Sequence, residues 1–339
     1  MRFQKYVTHC FHTEYALMVP ITSAYGVKNT TMITLAGDLL RVLAYFDLFD
    51  YPLTRQEICL FLHRGHAEEE VEEALQQLVS EQCIFRLDNF YALKNDPLRA
   101  SKRIEGNDRA SSLLTVAGRI SAHLFHFPFV RAIGISGSLS KNHADEKSDI
   151  DYFIITKAGR LWIARTWMHL FKKLTFLSGR QHWYCMNYYI DEQSLQITEK
   201  NIFTAMETVT LVPMHGHDLF KAFFDANAWT ARYFPGGKTL AATSENMAGK
   251  SLTKNMLEFL FDNRLGNRLD DYLMKVTTKR WQKKEKKKYL NIKGDVMGIK
   301  TGKHFCKPNP GFFQEKILAR YRCKLKELEE RSGICLGES

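Results

Sequence analysis

Two stretches of sequence decide the fold: Ile133-Gly134-Ile135-Ser136-Gly137-Ser138-Leu139-Ser140-Lys141 and Ser148-Asp149-Ile150-Asp151-Tyr152-Phe153-Ile154-Ile155. In the first, an apolar run leads into Gly137-Ser138, which predicts a buried strand followed by a tight turn. In the second, Asp149 and Asp151 stand two residues apart at the start of another apolar run. Because side chains alternate along a strand, we expect both carboxylates on one face of it.

The two stretches together predict a site for a metal ion and a phosphate. Gly137 lets the backbone approach a phosphate closely, and the Ser138 hydroxyl can add a hydrogen bond. A helical turn starting at this point would direct free backbone N–H groups at the anion. The carboxylates of Asp149 and Asp151 suit Mg²⁺ that is shared with substrate phosphates.

This pattern resembles the nucleotidyltransferase superfamily that includes DNA polymerase beta, in which a hydrophobic strand, Gly-Ser, a gap and Asp-x-Asp follow one another. Here ten residues separate Ser138 from Asp149, and Lys141 stands where many members carry a basic residue. The resemblance implies two Mg²⁺ ions held by Asp149 and Asp151. It also implies a nucleoside triphosphate with its β- and γ-phosphates on Gly137 and Ser138, and Lys141 as the cation that neutralises developing charge.

One position departs from the pattern of this superfamily, whose members usually carry a third carboxylate on a later strand. The resemblance covers residues from about 129 to 191, and the matching mid-strand position is Asn187, an amide that cannot accept a proton from an attacking hydroxyl. By alternation Asp191 shares a face with position 187, although it lies near the strand end. We expect Asp191 to supply any third carboxylate; the alternatives are catalysis with two carboxylates and nucleotide binding without turnover.

Hydrophobic periodicity and the resemblance together predict an α+β protein with a small mixed β-sheet. Strands are predicted over residues 129–135, 150–156 and 183–190, a linking helix over 97–128 and another helix over 158–177. Residues after about 200 follow a mostly helical pattern. We predict four parts of the chain: a leader over residues 1–32, an N-terminal module over 33–96, the core over 97–195 and a helical C-terminal region over 196–339. We expect the leader to be poorly ordered.

The N-terminal module resembles a winged helix in the order of its elements. Three helices are predicted, the second starting at a capping box of Thr54 and Glu57, and a hairpin follows. The third helix would enter DNA in a winged helix. It lies among six carboxylates: Glu68, Glu69, Glu70, Glu72, Glu73 and Glu81. Because these repel phosphates, we expect no sequence-specific DNA binding by residues 33–96 and a packing or protein-contact role instead.

Composition narrows the class of protein. Of 339 residues 45% are hydrophobic and 25% are charged, and no run approaches the roughly 18 apolar residues that a membrane span needs. The seven cysteines form no Cys-x-x-Cys pair, so we expect reduced thiols in a cytoplasm rather than disulfides or structural zinc. The net charge of +11 suits either a phosphate-bearing partner or a basic solvated surface.

Some residues with chemical potential fit no known pattern. His182, His215 and His217 lack a known metal spacing, so we interpret them as surface or core histidines. The stretch 298–303 lacks the Gly-x-x-x-x-Gly-Lys-Ser/Thr pattern of a P-loop. We interpret it as a solvated basic loop, and contact with a triphosphate by this loop or by Lys307 is the alternative.

Three functions stay open on the sequence alone. The first is Mg²⁺-dependent transfer of a nucleoside monophosphate from a nucleoside triphosphate to a hydroxyl acceptor, taken first as a small molecule. The second is a nucleotide-binding or regulatory module, which Asn187 favours and the intact aspartate pair opposes. The third is RNA or tRNA as acceptor, which the lysine-rich segment around 279–288 permits.

Overall fold

A computed structural model describes residues 29–62, 66–146, 148–175, 181–235, 252–290 and 294–337. These ranges combine helices with two β-sheets, and the larger sheet contains both parallel and antiparallel strand pairs. The expected α+β class is confirmed at this level. Residues 1–28 of the predicted leader lie outside the described residues, and the rest of it belongs to a helix that begins at Asn29.

The N-terminal module contains the three helices and the hairpin that its sequence predicts. The predicted capping box is present: the Thr54 hydroxyl accepts from the Glu57 N–H at 3.2 Å, and Glu57 accepts from the Thr54 N–H at 2.9 Å. The elements are α1 (Asn29–Asp47), β1 (Leu53–Thr54), α2 (Arg55–Phe61), α3 (Glu68–Ser80), β2 (Phe85–Leu87) and β3 (Phe90–Ala92). The three strands pair antiparallel in the order β1-β3-β2.

The larger sheet takes its strands from a long span of the chain. They are β4 (Val130–Ser136), β5 (Asp151–Thr156), β6 (Cys185–Asp191), β7 (Val212–His215), β8 (Ile299–Thr301) and β9 (Phe305–Pro308). Their order is β7-β4-β5-β6-β9-β8, in which β5 and β6 run parallel and the other neighbouring strands run antiparallel. The three predicted strands correspond to β4, β5 and β6, each within two residues of its predicted ends.

Seven helices of the described chain surround this sheet or follow it. They are α4 (Pro97–Phe125), α5 (Leu161–Thr175), α6 (Ile202–Val209), α7 (His217–Ala226), α8 (Leu252–Phe261), α9 (Arg264–Lys286) and α10 (Phe313–Ser332). The predicted linking helix is α4, which starts where Asp96 accepts from the Leu98 N–H at 3.1 Å and Pro97 occupies the first turn. No described helix has both the length and the apolar character required to cross a membrane.

The region after residue 200 is mostly helical, as the sequence predicts, but it also contains the strands β7, β8 and β9, which the sequence pattern did not indicate. These strands have four, three and four residues, too few for alternation to stand out from a neighbouring helical pattern. Residues 299–301 of the predicted loop 298–303 form β8, which pairs with β9. Pairing with distant strands, rather than local pattern, therefore sets these segments.

Strand β5 separates two apolar cores. Tyr152 and Ile154 are buried on the face covered by α4 and α5, whereas Phe153 and Ile155 are buried on the face covered by α7. A strand covered on both faces has a continuous apolar sequence, which explains the uninterrupted run after Asp151. By alternation Asp151 shares the face of Phe153.

A third apolar core joins the N-terminal module to the end of the chain. Leu39 and Leu43 of α1 share this core with Met206 of α6 and with Ile317 and Leu325 of α10. Helix α6 thus lies between the N-terminal module and the larger sheet, and its position depends on both.

A buried arginine connects the N-terminal module to the turn after β4. Arg103 of α4 is only 2% exposed, pairs with Glu57, and lies with its guanidinium carbon 4.0 Å from the centroid of the Tyr51 ring. The Tyr51 hydroxyl in turn donates to the Lys141 carbonyl oxygen. The segment 139–141, which follows Gly137-Ser138, is therefore supported by the module.

Helix α5 begins on a carboxylate supplied by α9. Asp270 is fully buried, and its Oδ1 accepts from the N–H groups of Trp162 at 2.8 Å and Ile163 at 3.0 Å. Desolvation by burial raises the pKa of Asp270 to about 6, although the two N–H donors act in the opposite direction. The cap therefore depends on a buried carboxylate, and burial shifts that carboxylate toward its protonated form.

We expect Asp270→Asn to remove a pH dependence of stability. A carboxyl whose folded pKa of about 6 lies above its ordinary value of 3.8 stabilises the fold most at low pH. This contribution is lost as pH rises through 6, by about 3 kcal/mol in all. The amide oxygen can still cap both N–H groups and carries no charge. The free energy of unfolding of Asp270→Asn, minus that of the parent, should increase between about pH 4 and pH 7, as measured by urea denaturation.

Asp270→Ala serves as the control, because it removes the cap as well as the charge. We expect it to be less stable than Asp270→Asn at every pH. A difference between Asp270→Asn and the parent that stays constant from pH 4 to pH 7 would contradict the burial argument.

Candidate functional site

The turn after β4 depends on the absence of a side chain at Gly137. Its φ is +73°, a conformation that other L-residues adopt only with strain. A Cβ at this position would lie 2.6 Å from Oδ2 of Asp151. A short 3₁₀ turn over residues 139–141 follows Ser138, whose side chain is exposed. Gly137 and Asp151 are thus brought together, and Ser138 is the next residue of the turn.

The aspartate pair lies at the end of β5 nearest this turn. Ser136 and Asp151 are paired across β4 and β5, so the strand register itself brings Asp151 to Gly137. Asp149 precedes the strand and is separated from Asp151 by the fully buried Ile150, while both aspartates are partly exposed. Both carboxylates lie near Cys185, because, in addition to burial, the charges of Asp151 and Asp149 each act to raise the pKa of its thiol.

A third carboxylate binds the backbone of the turn, and sequence reasoning did not identify it. Glu207 of α6 accepts from the Gly137 N–H at 3.2 Å through Oε2 and from Lys141 Nζ at 2.7 Å through Oε1. Lys141 Nζ also donates to the Gly137 carbonyl oxygen at 3.0 Å. We call the Gly137 N–H and the Lys141 ammonium the anion seat, since together they bind the two oxygens of one anion.

Two further residues contact the aspartates. His182 Nδ1 lies 2.8 Å from Oδ1 of Asp149, so the interpretation of this histidine as an ordinary surface or core residue is incomplete. Cys185 is paired with Asp151 across β5 and β6. Burial first, and then the neighbouring Asp151 carboxylate, raise the pKa of the Cys185 thiol to about 12. At neutral pH this thiol is a hydrogen-bond donor to Asp151 rather than a nucleophile.

Asp191 does not join this cluster, contrary to the sequence expectation. In the parallel register Asp151 is opposite Cys185 and Asp191 is opposite Thr156, so Asp191 lies at the other end of β5. Its oxygens accept from the N–H groups of Gly159 at 3.0 Å and Gln193 at 3.1 Å, and Oδ2 lies 2.9 Å from His304 Nδ1. Asp191 is fully buried and fixes the turns at that end of the sheet.

A β-bulge in β6 explains why the alternation argument failed. Asn187 lies between Met186 and Tyr188, which pair with the consecutive residues Tyr152 and Phe153 of β5. One extra residue in a strand reverses the alternation beyond it. Asp191 consequently shares the face of Thr156, whereas Asp151 shares the face of Phe153. Neither the register nor the face places Asp191 beside the aspartate pair.

The described side chains do not form a complete metal cage by themselves. Within the described ranges no group of three or more His, Cys, Asp and Glu side chains is arranged to hold a metal ion. In phosphate-transferring sites Mg²⁺ is bound through one or two carboxylates together with substrate phosphates and water. Asp149 and Asp151 therefore fit a metal ion that arrives with a phosphate-bearing ligand.

The basic segment near the C-terminus is bound to carboxylates. Lys300 of β8 pairs with Glu199 at 3.0 Å and with Glu315 at 3.1 Å. Lys307 of β9 also pairs with Glu199 and lies 5.8 Å from the centroid of the Tyr188 ring. Burial acts to raise the pKa of Glu199, but the hydrogen bonds and charges of Lys307 and Lys300 together outweigh it and hold this pKa below its ordinary value. Both lysines have protein partners and are not simply solvated.

A separate cavity of about 240 Å³ lies near α1 and α6. Its lining includes Arg41, Arg232 and Tyr321, and it contains none of the aspartates or turn residues of the candidate site. Arg41 pairs with Asp38 at 2.6 Å within it. Because no set of carboxylates converges there, we assign the candidate chemistry to the cluster around Gly137 rather than to this cavity.

Comparison with protein-family models, with curated proteins and with solved structures found no match to this chain. The functional argument therefore depends on the geometry of the cluster itself.

We expect Gly137→Ala to abolish binding at the cluster. The new Cβ would collide with Asp151 and add about 1 to 2 kcal/mol of backbone strain, so the turn and the carboxylate must separate. Calorimetric titration with Mg²⁺ and a nucleoside triphosphate should show loss of binding, and thermal unfolding should show a modest loss of stability.

Gly159→Ala is the matched control. Gly159 also has positive φ, +64°, but no atom lies within 4 Å of an added Cβ. It should carry the same backbone strain and keep ligand binding. If both variants bind like the parent, the close approach of Gly137 and Asp151 has no role in the site.

Proposed function

We propose that this protein is a nucleotidyltransferase that moves a nucleoside monophosphate from a nucleoside triphosphate to a hydroxyl acceptor and releases pyrophosphate. The observation that carries the proposal is the convergence of Gly137 and Asp151, with Asp149 beside them. An anion-binding turn in contact with a carboxylate pair is the arrangement required to hold a triphosphate and its metal together.

Each residue of the cluster has a defined task in this reaction. Asp149 and Asp151 would hold Mg²⁺, which would supply charge neutralisation when bound. Gly137 and Ser138 bind the β- and γ-phosphates through the backbone N–H and the exposed hydroxyl. Lys141 neutralises the negative charge that develops on the departing pyrophosphate. Because Asp191 lies at the other end of β5, we assign the carboxylate chemistry to Asp149 and Asp151 alone.

The acceptor is proposed to be a small molecule bound beside the α7 face of the sheet. Asp151 shares this face with Phe153, α7 covers it, and Glu207 of α6 binds the neighbouring Gly137 N–H. A hydroxyl acceptor can be activated without a third carboxylate when a metal lowers its pKa. We also propose a cytoplasmic protein, because the six cysteines in the described ranges carry thiols rather than disulfides.

A second candidate is a nucleotide-binding or regulatory module with little turnover. Asn187 lies at a bulge of β6, at the strand position where members of the superfamily usually carry a third carboxylate. Asp191 is remote from Asp149 and Asp151. The contact from Tyr51 to Lys141 gives the N-terminal module a route to the anion seat. Incubation with each labelled nucleoside triphosphate and Mg²⁺, with both pyrophosphate release and label transfer measured, distinguishes this candidate from the transferase.

A third candidate keeps the chemistry and makes RNA or tRNA the acceptor. The end of α9 and the residues after it present an exposed basic surface of Lys279, Arg280, Lys283, Lys286, Lys287 and Lys288. Among the described residues these six side chains form no ion pair. Such a surface matches a phosphate backbone, and label transfer to RNA rather than to a small molecule would identify it.

The N-terminal module is proposed to act as a winged-helix-like contact surface that does not read DNA. On α3, Glu68, Glu69, Glu70 and Glu73 are exposed, whereas Val71, Ala74, Leu75 and Leu78 are buried against α1. The face available to a partner is therefore acidic. A basic protein surface is a better complement to it than duplex DNA.

We expect Asp149→Asn and Asp151→Asn each to abolish Mg²⁺-dependent nucleotide binding and transfer. The amide removes the charge that binds the metal and keeps the volume of the side chain. Glu146→Gln is the control, because Glu146 is exposed and reaches Arg109 only at 3.8 Å. Unchanged metal-dependent binding in either aspartate variant would remove the pair from the site.

We expect the full-length protein to bind duplex DNA weakly and without sequence preference at physiological salt. Reversing two exposed charges, as in Glu69→Lys/Glu73→Lys, should increase this affinity for all sequences alike, since only phosphate repulsion is relieved. Fluorescence anisotropy on a panel of duplexes measures both effects. A sequence-specific complex of the parent that the double variant weakens would show that α3 does read DNA.

A further inference from the structure

The anion seat holds a carboxylate of the protein's own. Glu207 bridges the Gly137 N–H and the Lys141 ammonium with its two oxygens, at 3.2 Å and 2.7 Å. A non-bridging pair of phosphate oxygens would use the same two donors in the same way, since both anions accept charge-assisted hydrogen bonds. The anion seat is therefore suited to two oxygens of one oxyanion, and the Glu207 carboxylate is such an anion.

The helix that carries Glu207 is held by its packing, whereas the Glu207 side chain reaches the surface. Helix α6 begins at a capping box of Asn201 and Thr204, and its buried residues Ala205, Met206 and Val209 pack in the core shared with α1 and α10. The Glu207 side chain itself is 30% exposed. Rotation about its side-chain bonds can release the seat without movement of the backbone.

Lys141 is held in place independently of Glu207. Its ammonium also donates to the Gly137 carbonyl at 3.0 Å, and its own carbonyl accepts from Tyr51. The cation thus remains at the turn when the carboxylate leaves. Helix α1 also lies near Glu207. Burial raises the pKa of Tyr45 on this helix, and the charge of the Glu207 carboxylate adds to that effect.

We propose that Glu207 is an internal competitor for the anion seat, and that its carboxylate exchanges with a phosphate group of the triphosphate. This proposal rests on the proposed function, because it assigns that phosphate to the seat. Exchange keeps both donors satisfied in each state, so neither the Gly137 N–H nor Lys141 is left without an acceptor. The displaced carboxylate moves towards solvent, where its charge is hydrated.

Competition of this kind reduces the apparent affinity for the ligand. A site open for a fraction f of the time binds with a dissociation constant increased by 1/f, so a seat held by Glu207 about nine-tenths of the time loses about tenfold in affinity. Removing the competitor should recover that factor. A residue that merely supports the turn would give the opposite result, because its loss would weaken the seat.

The test uses tripolyphosphate as the probe and isothermal titration calorimetry on the full chain. Glu207→Ala removes the competing group, and Glu207→Asp shortens the side chain so that it no longer bridges both donors while it keeps the negative charge. We expect both variants to bind tripolyphosphate about tenfold more tightly than the parent. Glu207→Asp also carries the test if Glu207→Ala does not fold.

Glu258→Gln is the matched control. Glu258 likewise accepts from a backbone N–H, that of Phe129 at 2.6 Å, and pairs with a cation, Arg131, at 2.8 Å. This pair lies at the beginning of β4, whereas Gly137 follows its end. Tripolyphosphate affinity should be the same in this variant as in the parent.

Three outcomes would overturn the proposal. Affinity that is unchanged or lower in both Glu207 variants would make Glu207 a support of the turn. A gain in Glu207→Ala that is absent in Glu207→Asp would reduce the effect to general charge repulsion. Absence of tripolyphosphate binding in the parent and in both variants would mean that the seat does not take phosphate.

The proposed transferase activity is judged separately, by pyrophosphate release and label transfer from nucleoside triphosphates. Tighter tripolyphosphate binding without turnover supports the exchange and argues against the transferase. Turnover without tighter binding supports the transferase and rejects the exchange. The two proposals therefore fail on different measurements.

Discussion

The close approach of Gly137 to Asp151 is the constraint on which the rest of the site depends. A Cβ at Gly137 would lie 2.6 Å from the Asp151 carboxylate, and the backbone there is in a conformation that favours glycine. The pairing of Ser136 with Asp151 sets this contact through the register of β4 and β5. With the turn fixed against one carboxylate, its N–H group is directed at a second, that of Glu207. The sheet therefore brings an anion-binding backbone and an acidic pair to one place.

Residues that act through their immediate neighbours could be predicted from the sequence. The capping box of Thr54 and Glu57 and the apolar runs of β4 and β5 follow from spacing within a few residues, and the contact of Gly137 with Asp151 follows from the pairing of those two runs. Asp191 could not be placed in this way. A single bulge at Asn187 reverses the alternation of β6, and a bulge depends on how two strands pair rather than on either sequence alone.

Contacts between distant segments account for the rest of what sequence reasoning missed. Glu207 and His182 reach the turn and Asp149 only after α6 and the segment before β6 have packed on the sheet. An isolated glutamate on a short helix gives no local signal of such a role. Strands β7, β8 and β9 were missed for the same reason, because three or four residues acquire strand structure from a partner strand.

The acidic residues of the site differ in what balances their charge. Asp149 contacts the imidazole of His182, Asp151 accepts from the thiol of Cys185, and Glu207 binds an ammonium and a backbone N–H. Leaving a partly buried carboxylate without a partner is costly, so the cluster needs these donors to keep several negative charges close together. A thiol and an exposed histidine are weaker partners than a divalent cation, whereas the bridge made by Glu207 is stronger than a single neutral hydrogen bond. In the function we propose, a metal at the aspartates would replace weak contacts, whereas a phosphate at Gly137 would displace a strong one, so the second step would govern access to the site.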